Sequence, residues 1–231
     1  MKYDLHIHSA LSPCANDDMT PANVAGMAKL AGADIIAVTD HNSALNLPAV
    51  KAACDAYDLK LLPGIEVNTQ EEIHVLCYFS TVDTALKFSE LLYEHLPAFP
   101  YDEEIWGRQL VMDENDEILR TVPKLLTGAL DMDIYEVKAA CEAAGGICVP
   151  AHIDADSYSI LSVLGFFPDD IVFDTIEVKF PARLDPLLQK GFVPRECSVV
   201  TSSDAHQLDK IAENLKELPK DTSLWQLIDG V

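Results

Sequence analysis

Two histidines behind an aspartate open the chain in DLHIH, residues 4–8. Alternate side chains of a β-strand share a face, so Asp4, His6 and His8 are predicted to point one way and Leu5 and Ile7 the other. Imidazoles and carboxylates converging on one spot are ligands for a divalent cation. The same residue types return along the chain: Asp40 and His41 in VTDH, Glu66 in GIEV, His74 in IHVLCYF, His152 in PAHI, and Asp204 and His206 in SSDAH. The seventh histidine, His95, lies in the helix-like KFSELLYEHL and is given no role.

The elements that must position these groups are short apolar runs at 2–8, 33–40, 59–67, 73–79, 145–152, 174–180 and 197–204. Most alternate with helix-like segments, the pattern of βα units. Thr20 is placed to cap a helix with Pro21 at its first position and Gly32 past its end. Further helices are predicted over 47–57, 83–95, 133–144 and about 207–217. Only TQEE separates GIEVN from IHVLCYF, too few residues for a parallel return, so those two strands must be antiparallel, with Glu66 near His74. Residues 97–130 break the pattern. QLVM, the turn DENDE and ILRTV read as a hairpin flanked by Pro97, Pro100 and Pro123, in an insertion of about 35 residues that suits a lid or substrate-selecting element as well as a structural excursion.

On this strand reading the histidines gather at the carboxyl ends of strands, the site-bearing face of α/β folds. Chance would put about one of them at that rim, whereas six collect there, five at carboxyl ends and His74 at the start of the antiparallel strand, which lies at the same end. Carboxylates packed together repel one another unless cations neutralise them, and nine candidate ligands exceed a single coordination shell. More than one metal is therefore predicted, with Glu66 as the natural bridge. Asp4 and Asp40 could bind metal directly, but are expected to accept the second ring nitrogen of a ligating histidine.

Composition narrows the classes. The 231 residues are 49% hydrophobic, enough for a sizeable core, and 16 Lys and Arg stand against 38 Asp and Glu for a net charge of −22. No basic surface is available to release counterions from a polyanion, so long nucleic acid is not expected as a partner. The start MKYDLHIHS lacks a signal-peptide pattern and no stretch approaches a membrane span, from which a cytoplasmic location is expected. Six cysteines without CxxC spacing read as reduced thiols, with Cys14 the exception considered next.

With DLHIH, VTDH, GIEV, HVLCYF, PAHI and SSDAH in order, the sequence resembles the PHP (polymerase and histidinol phosphatase) family over nearly all of its length apart from 97–130 and the C-terminal tail. The resemblance implies a distorted (β/α)7 barrel as a single domain over 1–231, and a trinuclear metal centre that hydrolyses phosphoesters. It implies that His6, His8, Glu66 and Asp204 hold one metal, that Glu66 bridges to a second held also by His74 and His152, and that His41 and His206 hold a third. The last ligand of that third site is His or Asp in the family. Here HSALSPCANDD offers Cys14, with Asp17 and Asp18 just beyond. A thiolate there would favour zinc or iron over magnesium or manganese.

The implied activity is hydrolysis of a small phosphomonoester or phosphodiester, of a metabolite or nucleotide, by water activated at two or three zinc, manganese or iron ions, whose charge lowers the pKa of water from ~16 toward ~7. Asp40, His41 and His206 are the candidates for assisting the leaving group. Lys179 and Arg183 in EVKFPARLD are the candidate phosphate clamps, with solvation or pairing to Glu177 and Asp185 as the alternative. A short-oligonucleotide nuclease, an amide hydrolase and a non-catalytic metal-binding regulatory module are the competing readings.

Overall fold

A computed structural model describes residues 1–99, 101–193, 196–213 and 215–228. β1 (Lys2–Ile7), β2 (Ile35–Val38) and β3 (Lys60–Leu61) pair in parallel, joined by α1 (Pro21–Ala31) and α2 (Leu47–Ala56). α1 begins where its residues dictate: Thr20 Oγ1 accepts from Asn23 N at 3.4 Å, and Gly32 ends the helix at φ 90°. β4 (Gly64–Asn68) and β5 (His74–Tyr78) form the antiparallel pair that the short TQEE connection requires, in a register that sets Asn68 opposite His74 and Glu66 opposite Leu76. After α3 (Val82–His95) come α4 (Glu103–Trp106) and the expected hairpin of β6 (Leu110–Met112) and β7 (Ile118–Thr121). Asp113 Oδ1 closes its turn by accepting the amides of Asn115 and Glu117. Pro100, one of the prolines flanking this insertion, lies outside the described residues.

α5 (Ile134–Ala143) leads into β8 (Ile147–Pro150), antiparallel to β5. α6 (Ile160–Leu164), β9 (Thr175–Glu177), α7 (Pro181–Gln189) and β10 (Ser198–Val200) follow, β9 and β10 being parallel. The helix expected over about 207–217 does not form. A 3₁₀ turn at Leu208–Lys210 and β11 (Lys216–Glu217) take its place, with Asn214 outside the described residues. β11 pairs antiparallel with the edge of β1, Lys2 opposite Glu217, satisfying backbone groups that would otherwise be left open. α8 (Trp225–Ile228) ends the described chain.

The result is a mixed α/β fold in which pairing is discontinuous among the described residues. Four sheets are joined by isolated contacts such as the parallel bridges Ile7 to Ala205 and His41 to Glu66, so a closed (β/α)7 ladder is not formed. Strand alternation divides the core. Val75 and Cys77 of β5 face an outer layer with Val24, Val50, Phe88 and Val137 of the helices. Leu76 and Tyr78 face an inner cluster with Tyr3, Leu5, Ile35 and Val149, into which Leu218, Leu224 and Leu227 of the C-terminal segment pack. Burying one such leucine contributes about 1.5–3 kcal/mol. Tyr78 gives its hydroxyl to Leu5 O at 2.7 Å, and its ring fits because residue 64 is glycine, where a Cβ would lie 2.9 Å from it.

Candidate metal centre

The histidines of β1 reach their place by a break in alternation. The register against β2 shifts by one residue between Asp4 and Ile7, and the apolar neighbours follow the shift: Tyr3 and Leu5 pack in the inner cluster and Ile7 in the outer one. Asp4 is thus not a partner of either ring. Its carboxylate accepts Ser203 N at 3.0 Å and Ala212 N at 2.7 Å, tying β1 to the segment that carries Asp204 and His206. The single alternating face predicted for Asp4, His6 and His8 is corrected accordingly.

Glu66, 1% exposed in the middle of β4, is the centre of the arrangement. Its Oε1 lies 3.3 Å from His6 Nε2, 2.9 Å from His74 Nδ1 and 3.2 Å from His152 Nε2, and its Oε2 lies 3.2 Å from His8 Nε2 and 3.1 Å from His41 Nδ1. Asp204 Oδ1 stands 3.5 Å from both His6 Nε2 and His8 Nε2. The ring of His206 stacks on that of His8 with centroids 4.2 Å apart. Several of the residues that turn these groups inward have left-handed backbone, Asn42 at φ 48°, His152 at φ 29° and Asp204 at φ 52°, conformations that cost free energy and persist only when the surroundings impose them.

The outer nitrogens fix the tautomers. His6 Nδ1 donates to Glu177 Oε2 at 2.9 Å and His206 Nδ1 to Asp204 O at 2.9 Å. Ser12 Oγ donates to Asp40 Oδ1 at 2.7 Å, so toward His8 Nδ1, 2.9 Å away, it is an acceptor. In neutral rings each of these bonds leaves Nε2 as a bare lone pair. Those of His6 and His8 face each other at 3.3 Å with carboxylate oxygens beside them. Lone pairs and anionic oxygens crowded without hydrogens between them are the donor set of a cation. His41 Nδ1 and His152 Nδ1 are buried with no hydrogen-bond partner, so further donor capacity is unspent. Three groups have donor atoms all within 4.8 Å of one another: His6, His8 and Glu66; His41, Glu66 and His74; and His8, His41 and His206. These residues fit divalent metal ions.

The acid–base balance of the bare side chains agrees. Burial alone would lower His8, but its bonds to Asp204 and Glu66 outweigh it and hold it up at about 9. His6 is likewise raised against its burial by the charges of Glu177, Glu66 and Asp204. Burial and the neighbouring imidazoles push His41 well below the ordinary histidine range and His206 down to about 4. Burial would raise Glu66, yet His74, His6 and His41 hold it far below the usual carboxylate range, and Asp204 is depressed by His6 and His8 against the same cost.

Glu177 was visible in the sequence only as a partner for Lys179 or Arg183, and is instead the carboxylate that orients the site. It is 2% exposed at the end of β9, and its Oε2 also accepts His152 N at 2.9 Å. A glutamate inside a buried strand run was the available signal. Asp40 acts through Ser12 rather than on a ring: it accepts from Ser9 N, Ser9 Oγ and Ser12 Oγ at 2.6–2.7 Å and does not line the cavity. Tyr158, also missed, accepts His74 N on its carbonyl at 2.9 Å and stacks on His74 with ring centroids 4.7 Å apart.

A cavity of about 950 Å³ opens over the centre, floored by His41, Glu66, His74, His152, Asp204 and His206. Cys14 lines it but joins none of the three donor groups. Its exposed face looks into this opening, while protein around the thiol and the charge of Glu66 push it up to about 12. Asp17 is taken by Arg108 at 3.0 Å. Lys179 reaches the cavity with Nζ 2.8 Å from Asp204 Oδ2, which raises its pKa against partial burial. Arg183, the other candidate phosphate clamp, does not line it: the guanidinium donates to Asp154 O at 2.6 Å and lies 3.3 Å from Asp156 Oδ1, which are not the partners Glu177 and Asp185 considered as its alternative. His95 lies at the end of α3, 2.6 Å from Asp131. No described helix is long and apolar enough to cross a membrane.

Comparison with known proteins follows the fold. A putative metal-dependent phosphoesterase from Bifidobacterium adolescentis superposes with a TM-score of 0.63 at 18% identity, covering 98% of this chain and 94% of that one. An amidohydrolase from Chromobacterium violaceum, solved with bound sulfate, gives 0.66 at 17% identity, with coverage of 100% and 97%. The lesion-specific endonuclease PfuEndoQ from Pyrococcus furiosus gives 0.60 at 19% identity over 90% of this chain, which spans 49% of that protein. These likenesses show a shared fold. Because one of the three is an endonuclease, they lend no support to the expectation that long nucleic acid is excluded. No curated protein matches the sequence. The family model for the PHP domain matches residues 4–149, nearly two-thirds of the 231. The chain belongs to the PHP domain family.

Proposed function

We propose that this PHP-family protein is a metal-dependent phosphoesterase that hydrolyses a small phosphomonoester or phosphodiester at two or three divalent cations, of zinc, manganese or iron. The observation that supports it most is the set of inward Nε2 lone pairs on His6, His8 and His206 beside Glu66 and Asp204. In this reading His6, His8, Glu66 and Asp204 serve one cation, Glu66 is shared with a second served by His74 and His152, and His41 and His206 serve a third, completed by Cys14 or Asp18. Bound divalent cations supply charge neutralisation at phosphate oxygens and activation of water for in-line attack.

The chain's own groups do the positioning. Glu177 and Ser12 hold the His6 and His8 rings in the tautomer that accepts a cation. His41 and His206 are held neutral by burial, so at neutral pH they suit ligation better than proton donation. Lys179 is the cation of the cavity wall and can donate to a phosphate oxygen. The strands are read as an interrupted seven-stranded barrel forming one domain over 1–231, with 97–130 as an insertion.

The test is metal content together with phosphate release from p-nitrophenyl phosphate and its bis ester, before and after chelation and with zinc, manganese or iron restored. Release that disappears with the metal and returns with it supports the proposal. Full occupancy with no release from either ester sinks it and favours a non-catalytic module. Cleavage of short oligonucleotides is a second reading, motivated by the fold shared with an endonuclease; a charge of −22 weighs against long polyanions. Release from a labelled tetranucleotide at a rate above that of the bis ester would favour it.

A further inference from the structure

Part of the cavity lining beyond the metal ligands is aromatic. Phe99 and Trp106 from the insertion and Tyr158 after β8 all line it, and they remain 58%, 52% and 45% exposed. Single exposed aromatics are ordinary on protein surfaces, but three around one opening beside a polar floor form a built surface.

Their placement is held from several sides. Tyr158 has left-handed backbone at φ 54° and lies flat against His74. Trp106 is followed by Gly107, at φ 93° and so close to the 9–19 loop that a Cβ would lie 2.0 Å from Pro13 O. Arg108 pairs with Asp17, Leu110 N donates to Ala10 O at 2.9 Å, and Met112 N donates to Asn46 Oδ1 at 2.9 Å. The insertion is therefore fastened directly after Trp106, to the loop between β1 and α1 and to Asn46 ahead of α2.

Charge restricts what can lie there. Lys179 is the one Lys or Arg among the described residues lining the cavity, and it is already paired with Asp204. Glu72 adds a further carboxylate to the lining. A ligand with several phosphates finds little to bind beyond the metal ligands, which leaves the rest of the molecule to the neutral polar Asn68, Thr127 and Ser157 and to the exposed aromatic faces. A volume near 950 Å³ falls within the range of sites for single small molecules.

Building on the phosphoesterase reading above, we infer that the substrate is a monophosphate ester carrying a planar aromatic group of nucleobase size, which lies against Phe99, Trp106 and Tyr158 while its phosphate faces the Glu66 centre. Stacking on an aromatic side chain contributes about 1–3 kcal/mol per base, a factor of roughly 5–150.

The test compares adenosine monophosphate with glycerol phosphate, using metal-loaded wild type and the variants Trp106→Ala, Trp106→Phe and Phe99→Ala. The expected result is a loss of about 10- to 100-fold in kcat/KM for adenosine monophosphate in Trp106→Ala, carried mainly by KM, with glycerol phosphate changed less than about threefold. Trp106→Phe should recover most of it, which also controls for a folding defect. Phenyl phosphate separates a nucleobase from any aromatic ring, since a preference shared by both esters assigns a general aryl site. Independently of turnover, the phosphonate analogue of adenosine monophosphate, added to protein carrying Trp225→Phe, should quench the fluorescence of Trp106. Equal losses on both substrates, or no quenching, would overturn the inference while leaving the phosphoesterase reading intact. Quenching with no phosphate release from any ester would uphold the aromatic wall and overturn the phosphoesterase instead.

Discussion

β1 connects two opposite ends of the strand assembly, and both are buried. At its start Tyr3 and Leu5 lie under Leu218, Leu224 and Leu227, an apolar plug supplied by the C-terminal segment. At its finish His6 and His8, each fully buried, face Glu66 and Asp204. The first kind of burial is favourable by itself. The second is costly unless each charge is compensated, because desolvating a carboxylate or an imidazolium costs several kcal/mol. Equal burial with opposite chemistry assigns the plug to stability and the rim to function, and the assignment can be broken by experiment.

The largest expected effect is at the rim. Glu66→Gln removes the charge that five imidazoles approach, and should cut turnover at least 1000-fold and lower the metal content measured on purified protein. Its thermal transition, read on chelated samples, should move less than that of a plug variant. Unchanged turnover would contradict the central place given to Glu66.

The converse variant is Leu224→Ala, at a fully buried position in the plug. It should lower stability by about 2–5 kcal/mol in denaturant titration, with metal stoichiometry preserved. Metal loss equal to that of Glu66→Gln would show the two ends to be coupled rather than separate.

Between these comes Glu177→Gln, which keeps volume while removing the charge that orients His6. Metal affinity should fall about 10- to 100-fold by competition with a chelating dye, with the thermal transition of the chelated protein shifted by only a few degrees. An unaltered affinity would reduce Glu177 to a structural anchor for His152 N.

The difference between the ends also explains what could be read from the sequence. The rim announced itself because histidine is scarce and its positions next to apolar runs could be counted; nearly every residue named there does meet Glu66 or its neighbours. Glu177 was not legible as an orienting group because a hydrogen bond between β9 and β1 depends on which strands become neighbours, and no local pattern encodes that; Ser12, only four residues from His8, lies in an irregular loop whose path has no periodicity to read. Asp4 was misread because a one-residue register shift inside β1 changes faces, and period-two reasoning assumes no shift. The plug was invisible for the same reason that 207–217 was misread as a helix: short apolar and charged stretches were recruited by an open strand edge and an unfilled interior. The hairpin of the insertion was legible because DENDE is local turn chemistry, whereas the apposition of Phe99, Trp106 and Leu125 of the same insertion to the cavity is a tertiary fact.

The smallest predicted effect separates the ends by titration. The plug contributes no group that titrates near neutrality, whereas the rim contributes groups shifted in both directions. His8 is held up at about 9, so its contribution to chelated protein is fully present below ~6.5 and is lost as pH rises through about 9. His206 is pushed down to about 4, so between ~6.5 and about 4 the unfolded chain binds the extra proton and stability falls as pH falls. Glu66 and Asp204, both depressed, act in the same direction in acid. The chelated protein should therefore have a thermal transition highest near neutral pH, lower by a few degrees at pH 9.5 and lower again at pH 4.5. Metal reverses the alkaline limb. Ligation requires the His6 and His8 protons to leave, so binding strengthens as pH rises, and the loaded protein should keep or raise its transition between pH 7 and 9.5. Parallel alkaline limbs in loaded and chelated samples would mean that cations do not occupy the lone pairs around Glu66, and the contrast between a titrating rim and a silent plug would lose its basis.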